Sequence, residues 1–280
     1  MSQVKSTAKK QPVLVKAAEI VSVPTISTSE DEIKNIFAVD SVLIADAGTR
    51  KITRQELAGV NTPLSTKTYK PISHIRLVEA LIETLSFRHI TVVNDEYAIS
   101  KDGRKCFGLL ELSEEFSGCR FALGIRNSHD RHMRLAMTVG LKVMVCSNMA
   151  FQGDFAPIRV KHSQKLDLLE CVSIGVDRIQ RNFKPLKNQV ERYKEEFMSN
   201  EEVRLIIYEA FVDKKLPLPL KLLPLVHQFY FKPEHDEFKD PSLWCLWNAF
   251  TSAFKHVKPI PQFELTAKLG NFIERFAAPF

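Results

Sequence analysis

Residues 133–146 read Met133-Arg134-Leu135-Ala136-Met137-Thr138-Val139-Gly140-Leu141-Lys142-Val143-Met144-Val145-Cys146. Every odd position is apolar, and Arg134, Thr138 and Lys142 fall on even ones. Side chains alternate between the two faces of a strand. The stretch therefore predicts a long strand with one core face and one polar face, on which Arg134 and Lys142 stand together. In 119–127, Phe121, Leu123 and Ile125 alternate with Arg120 and Arg126. In 155–162, Ile158 and Val160 alternate with Arg159 and Lys161. As neighbours, these strands would carry six basic side chains on one sheet face with no Glu among them.

Working upstream, β-like stretches at 90–100 and 104–112 flank Lys101-Asp102-Gly103, and Asp-Gly is a strong hairpin signal. A second turn is expected over 113–118. Ile75, Val78, Leu81, Ile82 and Leu85 recur at helical spacing behind Ser73, predicting an amphipathic helix to about Arg88. Ser29 with Glu32, and Thr53 with Glu56, are capping boxes opening short helices. A strand is expected at 42–45, and residues 1–28 read as an arm.

Downstream the pattern is helical. One face formed by Leu168, Leu169, Val172, Val176, Ile179 and Phe183 is expected to stop at Pro185. A second helix would carry Val190, Tyr193 and Phe197. A capping box at Ser199 and Glu202 opens a third, to about Lys214. Residues 216–224 read as irregular. Asp240-Pro241 reads as an N-cap with Pro at the first helical position, starting a helix to about His256, and a last helix covers 262–276. The fold class is α+β: an antiparallel sheet of about five strands packed with helices, followed by a helical C-terminal half. We divide the chain into an N-terminal arm with short helices (1–60), an α+β core with the basic sheet (61–165) and a helical region (166–280).

Composition narrows the function. The chain has 280 residues, 45% of them hydrophobic and 26% charged, which excludes wholesale disorder and suffices for one or two domains. No apolar run approaches the length of a membrane span, and the Lys-containing start has no apolar core of a secretory leader. Five cysteines without a C-x-x-C pair fit a reducing cytoplasm rather than a disulfide framework. The net charge of +6 is local. Residues 118–165 hold eight Lys and Arg against Asp130 and Asp154, which equals the whole excess. Such a segment points to a polyanionic partner. The expected phosphate contacts are Arg120, Arg126, Arg131, Arg134, Lys142, Arg159 and Lys161.

The loop 126–132 is the densest cluster of reactive side chains. It reads as a phosphate- or base-contacting loop, as a metal site of His129, Asp130 and His132, or as a hydrophilic hairpin connection. No second ligand cluster lies at metal spacing, so no metal and no cofactor is assigned. A nucleophilic Cys146 would need His129 or His162 as its base. It reads instead as a packed cysteine, and no catalytic residue is assigned. Trp244, Trp247 and Thr251 share one helix face, which serves either the core or a partner.

Three blocks carry a family resemblance: Leu123-Gly124-Ile125-Arg126-Asn127-Ser128-His129-Asp130, then Val145-Cys146-Ser147-Asn148, then Trp247-Asn248-Ala249-Phe250-Thr251. Together, and in that order, they resemble the plasmid- and phage-borne family called domain of unknown function 932, over roughly residues 70–255. The resemblance marks Arg126, Asn127, Ser128, Asp130, Cys146 and Asn148 as motif positions, with His129 inside the same loop, and carries no catalytic residue over. Met149 follows Asn148 where the family often has Gly. It implies a cytoplasmic protein of a mobile element, acting in DNA maintenance or recombination. The leading expectation is a non-enzymatic nucleic-acid-binding protein with single-stranded DNA as ligand; a homo-oligomer is compatible with it. The alternatives are a metal-dependent nuclease centred on His129, Asp130 and His132, and an interaction module acting on a host DNA-processing protein through Trp244 and Trp247.

Overall fold

Two tight turns organise the sheet. The computed structural model describes residues 50–146, 148–151, 158–257 and 259–277. The expected helix at 29–37 and strand at 42–45 lie outside them. Strand β1 (Arg50–Ile52) pairs with β2 (Val92–Ile99), which turns through Lys101-Asp102-Gly103 into β3 (Lys105–Phe116). Gly103 has φ +69°, the left-handed conformation the turn requires and glycine supplies without strain. β3 then runs four residues past its expected end. It turns at Ser117 and Gly118, both at positive φ, into β4 (Cys119–Ser128). A two-residue turn with both φ positive matches the twist of the strands it joins, so the reversal falls at Ser117-Gly118 and not over 113–118. β5 (Leu135–Val143) follows, then β6 (Met149–Phe151) and β7 (Ile158–Val160). The antiparallel order is β1-β2-β3-β4-β5-β6, with β7 also on β5, giving seven strands rather than about five. The two short strands β1 and β6 carry too few residues to show a period.

Helices cover the odd-numbered face. Helix α1 (Arg54–Ala58) is closed by the expected capping box of Thr53 and Glu56. In α2 (His74–Phe87), Leu77, Val78, Leu81 and Leu85 are buried, and Ser73 is the N-cap without a side-chain capping bond. The helix over 168–195 corrects the expected break: α3 (Leu168–Glu195) passes through Pro185 as one rod. Its buried face continues on both sides of the proline, through Phe183, Leu186, Val190 and Tyr193. Phe183 stacks on Phe121 of β4 at 4.0 Å. Packing on both sides outweighs the single amide that proline lacks.

The C-terminal helices are α4 (Asn200–Phe211), α5 (Leu223–Phe231), α6 (Leu243–Phe254) and α7 (Pro259–Ile273). α4 has the expected capping box of Ser199 and Glu202. α5 begins inside the stretch read as irregular. α6 starts two residues later than expected, because Ser242, not Asp240, accepts the Cys245 amide proton. Trp244 and Trp247 are buried and stacked at 4.9 Å. They are core residues, the first of the two readings of this helix face, and they are not available as anchors for a partner. One apolar cluster runs from the odd face of β4 and β5 through α2 and α3 into α6. No helix among the described residues is long and apolar enough to cross a membrane.

Candidate nucleic-acid interface

Register fixes which basic residues share a face. Arg120 lies directly across from Lys142, and Arg126 and Arg159 flank Ala136 on its two sides. These four therefore stand on the even face of the sheet, as the alternation required. Their sign, however, is not uniform. Glu111 and Glu115 of β3 stand beside Arg120, which pairs with both, and Lys142 also bonds Glu111. Glu111 is buried and receives a further bond from the Asn94 amide at 3.0 Å. Burial opposes its charge, but the bond from Lys142 and its other donors hold the carboxyl below the usual range. Both acids sit outside the 118–165 window, and only strand register brings them in. This corrects the expectation of a face free of Glu: Arg120 and Lys142 are internally neutralised.

The unspent charge lies at the other end of the sheet. There the end of β2, the start of β3, the end of β4, the start of β5 and β7 meet, with Ile99 across from Cys106, Lys105 from Ser128 and Leu135 from Val160. Four segments, 66–74, 100–105, 128–136 and 159–166, are sewn together at this end. The His129 amide donates to the Arg104 carbonyl at 2.7 Å, and the Tyr69 hydroxyl donates to the Ser128 carbonyl at 3.1 Å. The Lys70 amide donates to the His162 carbonyl at 3.4 Å, and the Gln164 amide bonds the Thr66 carbonyl. The segments contain Lys67, Lys70, Lys101, Arg104, Lys105, Arg131, Arg134, Arg159, Lys161 and Lys165, against Asp102 and Asp130. All of these basic residues except the half-buried Lys105 are exposed. Arg134, Arg159 and Lys161 have no ion-pair partner among the described residues. Arg134 lies one residue before β5 and Lys161 one after β7. Lys67, Lys70, Lys101 and Arg104 come from segments too far apart in sequence to have been grouped by composition.

Behind this rim is a buried polar layer. Asn127, Ser128 and His129 are all buried. The Asn127 amide donates to the Ile72 carbonyl at 2.7 Å and to His74 Nδ1 at 2.9 Å. His74 Nε2 then donates to the Gly103 carbonyl at 3.0 Å, and His129 Nε2 donates to the Ile72 carbonyl at 2.9 Å. The His74 and His129 rings stack at 3.8 Å, nearly parallel. Burial, then the neighbouring His129, push His74 down to about 4, and burial lowers His129 and His162 as well. All three are neutral at pH 7. Burial opposes ionisation of Asp130, but the Ser128 hydroxyl and the His132 amide bond it and keep it charged. The motif residues of this loop are thus staples that set the rim, and Arg131 is what they present.

This geometry does not assemble the set that the alternative nuclease reading requires. His129 is turned to a backbone carbonyl, and Asp130 closes its own loop. Among the described residues, no group of three or more His, Cys, Asp or Glu side chains is placed to hold a metal ion. Cys146 is half-buried, and burial pushes its thiol up, away from the thiolate a nucleophile needs. Asn148 is buried, and its amide donates to the Ser252 hydroxyl at 2.8 Å and to the Asn248 carbonyl at 3.2 Å. Lys255 also bonds the Cys146 carbonyl. The second and third sequence blocks are therefore one clamp, holding the β5–β6 connection to α6.

Sheet, covering helices and clamp define an α+β domain with a basic sheet end and a helical C-terminal half. The chain belongs to the family described as domain of unknown function (DUF932), whose model matches residues 64–271. No curated protein and no solved structure matches the chain.

Proposed function

We propose that the chain is a non-enzymatic nucleic-acid-binding protein that holds the phosphate backbone along the sheet-end rim, in the DNA maintenance or recombination of a mobile element. The observation that carries the binding reading is the rim itself: nine exposed Lys and Arg from four sewn segments, with two acids among them. An ordinary surface intersperses both signs, whereas a backbone-tracking surface concentrates one. The mobile-element setting rests on the family resemblance alone. The reading relocates the contact from the sheet face to its end, so Arg131, Arg134, Arg159 and Lys161 bind while Arg120 and Lys142 hold the sheet together.

The test is fluorescence anisotropy of labelled oligonucleotides across a salt series. Binding should weaken along a straight log–log line, and each phosphate contact removed should flatten its slope by about 0.7–0.9. Arg159→Glu with Lys161→Glu should lower affinity and flatten the slope. Absence of binding at low salt retires the reading.

A further inference from the structure

We infer that Arg131, laid on Tyr69, is a stacking platform for one unpaired base, so that the rim takes single-stranded rather than duplex nucleic acid. The inference rests on the nucleic-acid reading above and names its substrate class.

Arg131 differs from its basic neighbours. Its backbone has φ +66°, a strained region that non-glycine residues rarely occupy. The loop holds it there: Asp130 Oδ1 accepts from the His132 amide at 3.0 Å and also bonds the Ser128 hydroxyl. This conformation carries the guanidinium over the Tyr69 ring, 4.6 Å from its centre, and its Nη2 donates to Thr66 Oγ1 at 3.4 Å. Tyr69 is itself fixed. Its ring is buried beside His162 at 5.7 Å, and its hydroxyl is spent on the Ser128 carbonyl.

A cation that only neutralises phosphate needs no such support, and the long side chain gains entropy by staying loose. Here a planar cation is pinned to an aromatic ring yet remains exposed. Guanidinium planes and aromatic rings are the groups on which unstacked bases lie. A duplex keeps its bases stacked inside and offers no free base face. A single strand does, while its phosphates run on to Arg134, Arg159 and Lys161. Arg131 and Tyr69 come from loops about sixty residues apart in sequence, so neither alone signals a platform.

The experiment measures binding of three fluorescent DNA probes of equal length to the full chain: a thymidine oligonucleotide, the same backbone made abasic, and a duplex. Arg131→Lys keeps the charge and loses the plane, and Arg131→Ala loses both. The wild type should bind the thymidine strand about tenfold more tightly than the abasic one, from a stacking contribution of about 1–3 kcal/mol per base. Arg131→Lys should erase that ratio and keep the salt slope, because the charge is retained. Arg131→Ala should erase it and flatten the slope. Equal wild-type affinity for thymidine and abasic strands, or an unchanged ratio in Arg131→Lys, overturns the platform and leaves phosphate binding intact. Failure of all three probes to bind wild type at low salt removes the nucleic-acid reading, and the platform with it.

Discussion

Lys142 of β5 reaches past β4 to bond Glu111 of β3 on the even face of the sheet. The contact is diagonal and depends on small residues. Ala122 lies directly across from Glu111, and Gly140 across from Ala122, so nothing bulky separates the two strands' charged side chains. Removing the acid leaves Lys142 and Arg120, both largely buried, without their shared counter-charge. Breaking one side of such a pair costs about 3–5 kcal/mol. Glu111→Gln should therefore lower unfolding stability by about 3 kcal/mol in urea titrations, with oligonucleotide affinity at low temperature unchanged. A variant of full stability would show that Asn94 and solvent suffice.

The three histidines behind the rim give stability a pH dependence of defined sign. His74 is held at about 4 in the folded protein against 6.5 for the free side chain, by burial first and by His129 next. The unfolded chain then binds the proton more readily. Stability is complete above about pH 6.5, declines as pH falls, and levels off near pH 4. The displacement corresponds to roughly 3 kcal/mol. Melting temperature measured from pH 7.5 to 4.5 should fall steadily, and the decline should be shallower in His74→Gln, which cannot take up the proton. An equal decline in both proteins would place the linkage elsewhere.

How much of this was legible differs by element. The odd-position run from Leu135 to Val143 fixed a core face that exists, and the same alternation correctly put Arg120, Arg126, Lys142 and Arg159 on the opposite face. What alternation cannot give is the neighbouring strand. Glu111 and Glu115 lie outside any window drawn around Arg120, and only antiparallel register makes them its partners. The same limit hid the rim. Lys67, Lys101 and Arg131 are far apart in sequence and meet because four loops end at one edge. Pro185 misled for the opposite reason: a local breaker was read correctly as local chemistry, and tertiary packing overrode it.

The clamp between Asn148 and Asn248 predicts a measurable coupling. Asn148 Nδ2 lies 3.2 Å from the Asn248 carbonyl and 3.3 Å from its Oδ1, in a fully buried setting. Truncating either residue leaves buried polar groups unpaired, at about 1–3 kcal/mol. Asn148→Ala, Asn248→Ala and the double variant, compared by chemical denaturation, should show less than additive losses, with a coupling of about 1 kcal/mol. Strict additivity would mean that Asn148 is held by Ser252 alone.

Pro185 offers a gain rather than a loss. It sits in the middle of α3 with its ring exposed, so no packing contact requires it. By its chemistry it gives no amide proton to the carbonyl four residues back, and in a helix interior it costs about 3 kcal/mol relative to alanine. Against that, proline restricts the unfolded chain, and its removal returns about 0.4–1 kcal/mol of entropy to the unfolded state. Phe183 and Leu186 on either side are buried, so the helix is held through this point by packing in both proteins. Pro185→Ala should therefore stabilise the fold by about 1–2 kcal/mol in a thermal or urea melt, with helical circular dichroism unchanged or slightly higher. A loss of stability would show that restriction of the unfolded chain by proline outweighs the missing amide in α3.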